Sequence, residues 1–389
     1  MRLPIIFMII IILLNACVDY VIFRILKSYC RCIWSRIHAS ISILITLFVI
    51  IVVSLPRRDG SDGQLLFIMW SLFSYFSIYL PKYTFLLSRM LCFKKKIVKY
   101  ISPIGLLLGC ICAILMWWGA LINRYKVDIE EVAVEIKDLP ASFDDYKIAQ
   151  ISDLHLGTFN GDTIFVSKLV DIINTLDVDL VAFTGDIVNR KSEELLPYES
   201  LLSRIKAKDG VLSVLGNHDY GDYLDWATPK DKEENLRLMY EINQRMGWDL
   251  LLNESKYLYR GDDSIVVIGV ENIGDPPFKV YGSIDKAYRS LGDSTTKILL
   301  THNPAHWEND IKDNDKYNIA LTLSGHTHAM QIELFGLSPS ILRYNYWKGL
   351  YKDTLNRYLY VNVGAGTVAM PMRIGATPEI TVLTLKSAK

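Results

Sequence analysis

Apolar residues dominate the first third of the chain, whereas the remaining two thirds alternate short apolar runs with polar stretches. Four apolar segments precede residue 123, at positions 3–23, 39–55, 65–80 and 101–122. A helix needs about 20 apolar residues to cross a bilayer, and the second and fourth segments approach or exceed this length. Asn15 and Asp19 interrupt the first segment, and the third is short and rich in Ser and Tyr. The pattern predicts an all-α transmembrane region of about four helices and leaves two helices as an alternative.

Lys and Arg are unevenly distributed among the connections between these segments. The first connection contains Arg24, Lys27, Arg31 and Arg36, and the third contains Lys82, Arg89, Lys94, Lys95, Lys96 and Lys99. The second contains Arg57 and Arg58, offset by Asp59 and Asp62. Cytoplasmic loops of membrane proteins carry an excess of Lys and Arg. We therefore expect a multi-pass protein of the cell (inner) membrane, with the first and third connections in the cytoplasm and the C-terminal part extracytoplasmic.

From position 127 the pattern changes to short strands that alternate with helices. Positions 128–136 alternate apolar and charged residues, which is typical of a half-exposed strand. Further strands are predicted at 147–152, 178–184, 211–215, 265–270, 297–301, 319–324, 358–363 and 379–385, and helices at 162–176, 192–206 and 230–246. This order predicts an α/β or α+β domain with a buried sheet. We expect a transmembrane region at 1–126 and a second domain at 127–389.

Charge separates the same two parts of the chain. Residues 1–126 contain 15 Lys and Arg against 3 Asp and Glu, whereas residues 127–389 contain 27 against 39. Nucleic-acid binding requires a basic face, so the acidic second part gives no reason to expect a nucleic-acid partner. No pattern in the sequence sets an oligomeric state.

Polar residues that can bind metal ions stand where five of the predicted strands end. The five stretches are Ser152-Asp153-Leu154-His155, Thr184-Gly185-Asp186, Gly216-Asn217-His218-Asp219, Thr301-His302-Asn303 and Gly325-His326-Thr327-His328. They contain five of the seven histidines of the chain. The carboxyl ends of such strands meet in one crevice, so the five stretches are predicted to form a single site.

The residue types at this site favour transition-metal ions. Asp, Asn and His offer oxygen and nitrogen ligands of intermediate hardness, which suit Mn²⁺, Fe²⁺ or Zn²⁺ better than Mg²⁺ or Ca²⁺. With His218 reserved for a substrate, seven candidate ligands are left, more than one ion usually takes: Asp153, His155, Asp186, Asn217, His302, His326 and His328. This number predicts two divalent ions about 3.5–4 Å apart that share a carboxylate such as Asp186. A single stretch of this kind is more often a structural turn, but five in succession are not.

The five stretches read Asp-x-His, Gly-Asp, Gly-Asn-His-Asp, a single His and Gly-His-x-His, in chain order. In this order they resemble the calcineurin-like metallophosphoesterase superfamily, from residue 147 to residue 328. The tail, with Gly364-Ala365-Gly366-Thr367 and Pro378-Glu379-Ile380, is also similar. The resemblance is strongest to the membrane-anchored bacterial branch. It implies a four-layer αββα sandwich for the second domain.

The resemblance also implies roles for the residues of the five stretches. One ion would be bound by Asp153, His155 and His328, and the other by Asn217, His302 and His326, with Asp186 shared between them. His218 and Asn217 would face the substrate, with His218 as the general acid and Asp219 steadying it.

The activity implied by the resemblance is the hydrolysis of phosphodiesters or phosphomonoesters by a hydroxide that bridges two metal ions. A second interpretation, suggested by the membrane anchor, is hydrolysis of a lipid-linked phosphate or pyrophosphate. Relatives that cleave nucleotide-sugar lipids commonly have Arg where this chain has His218, which argues for a more general phosphoesterase. A third interpretation is a membrane sensor or scaffold that retains the fold without the chemistry.

Other polar and aromatic residues near the five stretches have less specific interpretations. His306 follows His302 by four positions, but Pro304 disfavours a helix there, so we expect His306 at the surface or behind the ligands. Arg373 is expected to be solvated, with contact to a phosphate as the alternative. The aromatic residues that follow Asp219 would form either a wall over the site or a packed cover: Tyr220, Tyr223 and Trp226.

The predicted orientation can be tested with a reporter fused after Lys389. An alkaline phosphatase reporter, which is active only outside the cytoplasm, should be active, and a green fluorescent protein that folds only in the cytoplasm should be dark. The reverse pair of results would contradict the positive-inside assignment.

Overall fold

The computed structural model describes residues 5–29, 32–58, 60–91, 95–274, 276, 279–289, 291–292 and 294–388. Arg31, Asp59 and Lys94, which enter the predicted orientation, lie outside these residues. The chain forms two compact units: Met1–Leu121 with Ala369–Met372, and Ile122–Val368 with Arg373–Lys389.

Four long helices make up the first unit. They are α1 (Ile5–Tyr29), α2 (Cys32–Ser54), α3 (Asp62–Met90) and α4 (Lys95–Leu121). Each contains a stretch that is long and apolar enough to cross a membrane, and the mean hydropathy of the third, 1.4, is the lowest of the four. All four predicted segments are therefore helical, including the first and third, which contain polar residues.

The polar residues of α1 are paired with α3 inside the helix bundle. Tyr79 Oη donates a 2.5 Å hydrogen bond to Asp19, and Lys82 Nζ lies 2.7 Å from the other oxygen of the same carboxylate. Asn15 donates to Tyr75 and accepts from Tyr83. Polar groups in membrane helices are tolerated where they face the bundle interior and find partners. Asn15 and Asp19 thus link two helices and do not interrupt the first one.

The second unit contains two six-stranded sheets. The first has the strand order β1-β12-β2-β3-β4-β5 and the second the order β10-β11-β9-β8-β7-β6. The strands are β1 (Asp128–Ile136), β2 (Lys147–Ile151), β3 (Leu180–Phe183), β4 (Val211–Ser213), β5 (Trp248–Leu250), β6 (Glu254–Arg260), β7 (Asp263–Gly269), β8 (Lys297–Leu300), β9 (Leu321–Ser324), β10 (Gly349–Lys352), β11 (Tyr358–Val361) and β12 (Glu379–Ser387). In the first sheet β2, β3, β4 and β5 are parallel, and in the second β7, β8, β9 and β11 are parallel.

The apolar side chains of the sheets divide between three cores. Within β3, Leu180 and Ala182 point to the core between the sheets, and Val181 and Phe183 point to the helices outside. Those helices are α5 (Ile164–Thr175), α6 (Glu199–Leu202) and α7 (Pro229–Met246). The outer face of the second sheet packs against α8 (Ile284–Tyr288) and a short helical turn at Trp307–Ile311. The unit is therefore the four-layer αββα sandwich that the resemblance implied.

The main departure from the predicted elements is at residues 192–206. A single helix was expected there, but the structure has a 3₁₀ turn at Ser192–Tyr198 followed by the one-turn helix α6. Pro197 explains the break, because proline donates no backbone hydrogen bond and disfavours α-helical geometry in the residue before it. Strands β5, β6 and β10 were not predicted, since their short or half-exposed sequences carry little apolar periodicity.

Candidate metal centre

The predicted site residues lie at the carboxyl ends of five strands. Asp153 and His155 follow β2, Asp186 follows β3, and Asn217 and His218 follow β4. His302 follows β8, and His326 and His328 follow β9. Because β2, β3 and β4 are neighbours in one sheet and β8 and β9 in the other, both sheets contribute to a single crevice.

Five of these residues have left-handed backbone conformations. The φ angles are +53° for Asp153, +46° for His155, +58° for Asp186, +73° for His326 and +51° for His328. Such a conformation costs a non-glycine residue about 1–3 kcal/mol and is retained where the surroundings impose it. These residues follow β2, β3 and β9, so the chain turns sharply after those three strands.

The first group of candidate ligands contains Asp153, His155 and His328. One carboxylate oxygen of Asp153 accepts a 2.9 Å hydrogen bond from the backbone N–H of His326. The other oxygen lies 3.1 Å from His328 Nε2 and 3.9 Å from His155 Nε2. A backbone hydrogen bond therefore holds one oxygen of Asp153, and the other oxygen faces the two imidazoles.

Asp186 is arranged in the same way within the second group, which it forms with His302 and His326. Its Oδ1 accepts a 2.8 Å hydrogen bond from the backbone N–H of His218. Its Oδ2 lies 3.1 Å from His302 Nε2 and 3.7 Å from His155 Nε2, so one oxygen is close to a histidine of each group. A carboxylate shared by two metal ions would lie between two such groups of histidines.

Ring nitrogens approach each other closely at two places in the crevice. His155 Nε2 lies 3.0 Å from His328 Nε2, and His302 Nε2 lies 3.1 Å from His326 Nδ1. The backbone carbonyl of Thr184 accepts from His302 Nδ1 at 2.8 Å, so Nε2 of a neutral His302 directs a lone pair into the crevice. Ring nitrogens gathered in this way beside two carboxylates are an arrangement that a divalent cation stabilises.

The amide of Asn217 fits the same interpretation. Its Nδ2 donates to Tyr223 Oη at 2.8 Å. Its Oδ1 is buried and has no hydrogen-bond partner among the residues that the structure describes. A buried acceptor without a partner is costly, and coordination of a metal ion would satisfy it. The residues present therefore fit two divalent metal ions.

Protonation matches this use of the side chains with one exception: although burial opposes it, the Asp186 carboxylate raises the pKa of His302 to about 9, so a bound metal ion would have to displace a proton there. Burial lowers the pKa of His326 to about 3 and holds the pKa of His155 well below its ordinary value. Burial alone would raise the pKa of Asp153 and Asp186, but His328 and His302 outweigh it and lower both. Neutral imidazoles and ionised carboxylates are the forms that bind metals.

His218 is held by a residue that the sequence did not single out. Its Nδ1 lies 2.6 Å from the backbone carbonyl of Asn189, and its ring stacks on Tyr223 with centroids 4.2 Å apart. A carbonyl only accepts, so Nδ1 carries the proton and Nε2 is the atom left to exchange one. Tyr223 is thus a wall of the site, the first of the two alternatives for the aromatic residues.

Asp219 binds backbone groups of two loops. Its carboxylate accepts four hydrogen bonds of 2.8–3.2 Å from the backbone N–H groups of Gly216, Asp186, Ile187 and Val188. These hydrogen bonds join the loops after β3 and β4, whereas the His218 ring is hydrogen-bonded to the carbonyl of Asn189. Gly216 permits this junction, because a Cβ there would lie 2.2 Å from Asp186 Oδ1.

The expectation that Arg373 is solvated is wrong. Arg373 is fully buried: it donates to His328 Nδ1 at 3.1 Å and to the carbonyls of Val363, Gly366 and Ala376. His306 is fully buried with Nδ1 2.9 Å from Thr301 Oγ1, which excludes the surface and leaves the expected place behind the ligands. Nothing in the local sequence marks either residue as buried, since the elements that cover them come from distant positions.

Comparison with known proteins agrees with this geometry. A family model described as calcineurin-like phosphoesterase matches residues 146–330. The metallophosphoesterase YkuE of Bacillus subtilis (strain 168) is 31% identical over 280 residues, which cover 68% of this chain and 88% of YkuE. A metallophosphoesterase of Helicobacter pylori (strain ATCC 700392 / 26695) is 28% identical over 321 residues, 82% of this chain and 79% of its own length.

Animal proteins match as well. A transmembrane protein with metallophosphoesterase domain from Danio rerio is 28% identical over 287 residues, 72% of this chain. The chain spans about three fifths of that relative, the matched region being 62% of its length. The chain belongs to the calcineurin-like metallophosphoesterase family. The family and the two ligand groups together indicate a dinuclear centre for divalent metal ions.

The buried guanidinium of Arg373 should be needed to hold His328 in place. Arg373→Met removes its four contacts and leaves three buried carbonyls without a donor. Loss of such an outer partner typically lowers metal affinity about 10–100-fold. Metal content by mass spectrometry after dialysis should fall, while Arg237→Met, at an exposed arginine, should retain the wild-type content. Equal contents would contradict the positioning role.

Replacement of Asp219 should weaken the junction between the loops after β3 and β4. The amide nitrogen of Asp219→Asn would face backbone N–H donors, which costs about 1–3 kcal/mol of unfolding free energy. We expect a lower thermal unfolding temperature and reduced metal content, with the exposed Asp171→Asn as control. Slower turnover with unchanged stability and metal content would instead favour the original assignment to His218.

Proposed function

We propose that this protein is a membrane-anchored hydrolase of phosphate esters that acts at a centre of two divalent metal ions. The observation that carries the proposal is the position of Asp186, whose Oδ2 lies within 3.7 Å of a histidine from each ligand group. Residues 127–389 would carry the chemistry and residues 1–126 the anchor. The substrate would be a phosphodiester or a phosphomonoester.

The two ligand groups and the resemblance to the family support a division of the ligands between the two ions. Asp153, His155 and His328 would hold one ion, and His302, His326 and Asn217 Oδ1 the other, with Asp186 between them. Nitrogen and oxygen ligands in these numbers favour Mn²⁺, Fe²⁺ or Zn²⁺. When bound, two such ions make hydroxide available near neutral pH and offset the charge of the phosphate.

The residues of this chain then have distinct tasks in the reaction. Asn217 and His218 follow each other on the loop after β4, so a phosphate near the ions would also meet the His218 ring. Burial lowers the pKa of His218, and an approaching phosphate anion would favour its protonated form. With Nδ1 held by Asn189, the proton would leave from Nε2 to the departing alkoxide. Tyr223 limits the ring to this orientation by stacking.

Membrane attachment is supported by α1 to α4, each of which has the length and hydropathy of a membrane span. We propose that all four cross the cell membrane and that residues 127–389 lie on its extracytoplasmic side. A lipid-linked phosphate or pyrophosphate would then be a second candidate substrate. The non-catalytic sensor interpretation is not favoured, because every ligand position carries a residue that can bind metal.

The activity should be measurable on the full-length chain in detergent. We expect hydrolysis of p-nitrophenyl phosphate or bis-p-nitrophenyl phosphate that is abolished by a chelator and restored by Mn²⁺ or Zn²⁺. The ratio of the two rates would separate monoester from diester preference. Full metal content without hydrolysis of either ester would favour a non-catalytic role.

The roles of His218 and Asp186 should separate in metal content. His218→Ala should slow turnover about 10²–10⁴-fold, the usual contribution of a general acid, with both metals retained. Asp186→Ala should lose at least one equivalent of metal, because it removes the ligand shared by both groups. Because His218 also lies near His155 and Asp186, metal loss in His218→Ala would identify it as a ligand and contradict the division of roles.

A further inference from the structure

An apolar segment with unusually high exposure follows the last metal-ligand candidate. Six large apolar residues between positions 330 and 342 are exposed, with exposed fractions from 40% to 103%: Met330, Leu334, Phe335, Leu337, Ile341 and Leu342. We call residues 330–342 the apolar loop. Elsewhere in the described part of the second unit, exposed large apolar residues occur singly or in pairs, as is normal for a protein surface.

The tip of the apolar loop is a tight hairpin that presents Phe335 to solvent. Leu334 and Leu337 exchange backbone hydrogen bonds of 2.9 and 3.0 Å, and Phe335 and Gly336 between them have φ angles of +54° and +76°. Such turns favour Asn, Asp or Gly, and a bulky residue at positive φ is uncommon. Neither the conformation of the turn nor solubility therefore explains a phenylalanine at position 335.

Hydrogen bonds fix the loop beside the metal centre. Ser338 Oγ donates to the carbonyl of Ala329, the residue after His328, at 2.6 Å. At the other end Tyr344 Oη lies 3.4 Å from His326 Nε2. Thr327, between the two histidines, donates to the carbonyl of Trp347 at 2.6 Å. The exposed apolar surface is thus attached at both ends to the stretch that carries two ligand candidates.

The charges and aromatic residues around the loop match a membrane interface. Glu333 is the one charged residue between positions 330 and 342, and its carboxylate pairs with Lys348 Nζ at 2.9 Å. The chain continues as Arg343-Tyr344-Asn345-Tyr346-Trp347-Lys348. Tyr, Trp, Arg and Lys next to an apolar stretch are characteristic of the boundary between lipid and water.

We propose that the apolar loop inserts into the outer part of a lipid bilayer and that this brings the metal centre to phosphate esters carried by lipids. If α4 crosses the bilayer as proposed, only six residues join it to the second unit, from its end at Leu121 to the start of β1 at Asp128. Contact with the bilayer stands independently of catalysis. The choice of lipid-borne substrates rests on the proposed function.

The contact can be tested by photo-crosslinking of the full-length chain in vesicles of phosphatidylcholine and phosphatidylglycerol. Phe335 is replaced by p-benzoylphenylalanine in one variant and Tyr259 in the control. Tyr259 is an exposed aromatic on β6, at the opposite edge of the second sheet from β10. We expect lipid adducts at position 335 to exceed those at position 259 about tenfold. Equal yields, or adducts at position 335 with a second copy of the chain, would overturn the proposal.

The substrate class is tested with two esters in the same vesicles. Phe335→Ser combined with Leu342→Ser should lower hydrolysis of phosphatidic acid about tenfold and leave hydrolysis of p-nitrophenyl phosphate unchanged, with Tyr259→Ser as control. Equal effects of the double variant on both esters, or none on either, would overturn the link to lipid-borne substrates. Failure of the unmodified chain to hydrolyse either ester would count against the proposed function, and the crosslinking result would still decide the bilayer contact.

Discussion

Two buried carboxylates, each held by a backbone N–H on one oxygen, organise the site of this protein. The N–H of His326 binds Asp153, and the N–H of His218 binds Asp186, so in both cases a loop carrying other site residues orients the carboxylate. The free oxygens face imidazoles from two separate sheets. Because each contact joins loops that are far apart in the chain, the geometry depends on the two sheets being packed correctly.

The residues around the candidate ligands are also held in place by hydrogen bonds to the main chain. Asp219 gathers four backbone N–H groups, Arg373 spans three carbonyls and a ligand histidine, and Asn189 fixes His218 through its carbonyl. Buried polar groups are costly unless they are paired, so each of these contacts stabilises the fold as well as the site. Backbone strain at five of the candidate ligands is tolerated because these contacts hold the loops in place.

In our proposal, exposed apolar residues relate membrane attachment to catalysis. The first unit pairs its polar residues internally, as Asp19 does with Tyr79 and Lys82, and presents apolar side chains outward. The apolar loop of the second unit repeats that outward apolar character next to the metal centre. A bilayer would satisfy both surfaces, and a phosphate ester at its surface would then lie close to His218 and the metal ligands.

Local pattern alone predicted the four apolar helices, most strands of the sandwich and the seven residues that we propose as metal ligands. These features depend on hydrophobic periodicity and on short motifs at strand ends, which a sequence displays directly. The burial of Arg373 and His306, the partners of Asp219 and the exposure of Phe335 were decided only by the tertiary structure. Each of these features depends on which distant loops cover the residue. The sequence around a guanidinium or a carboxylate does not show whether the group will contact water or buried backbone groups.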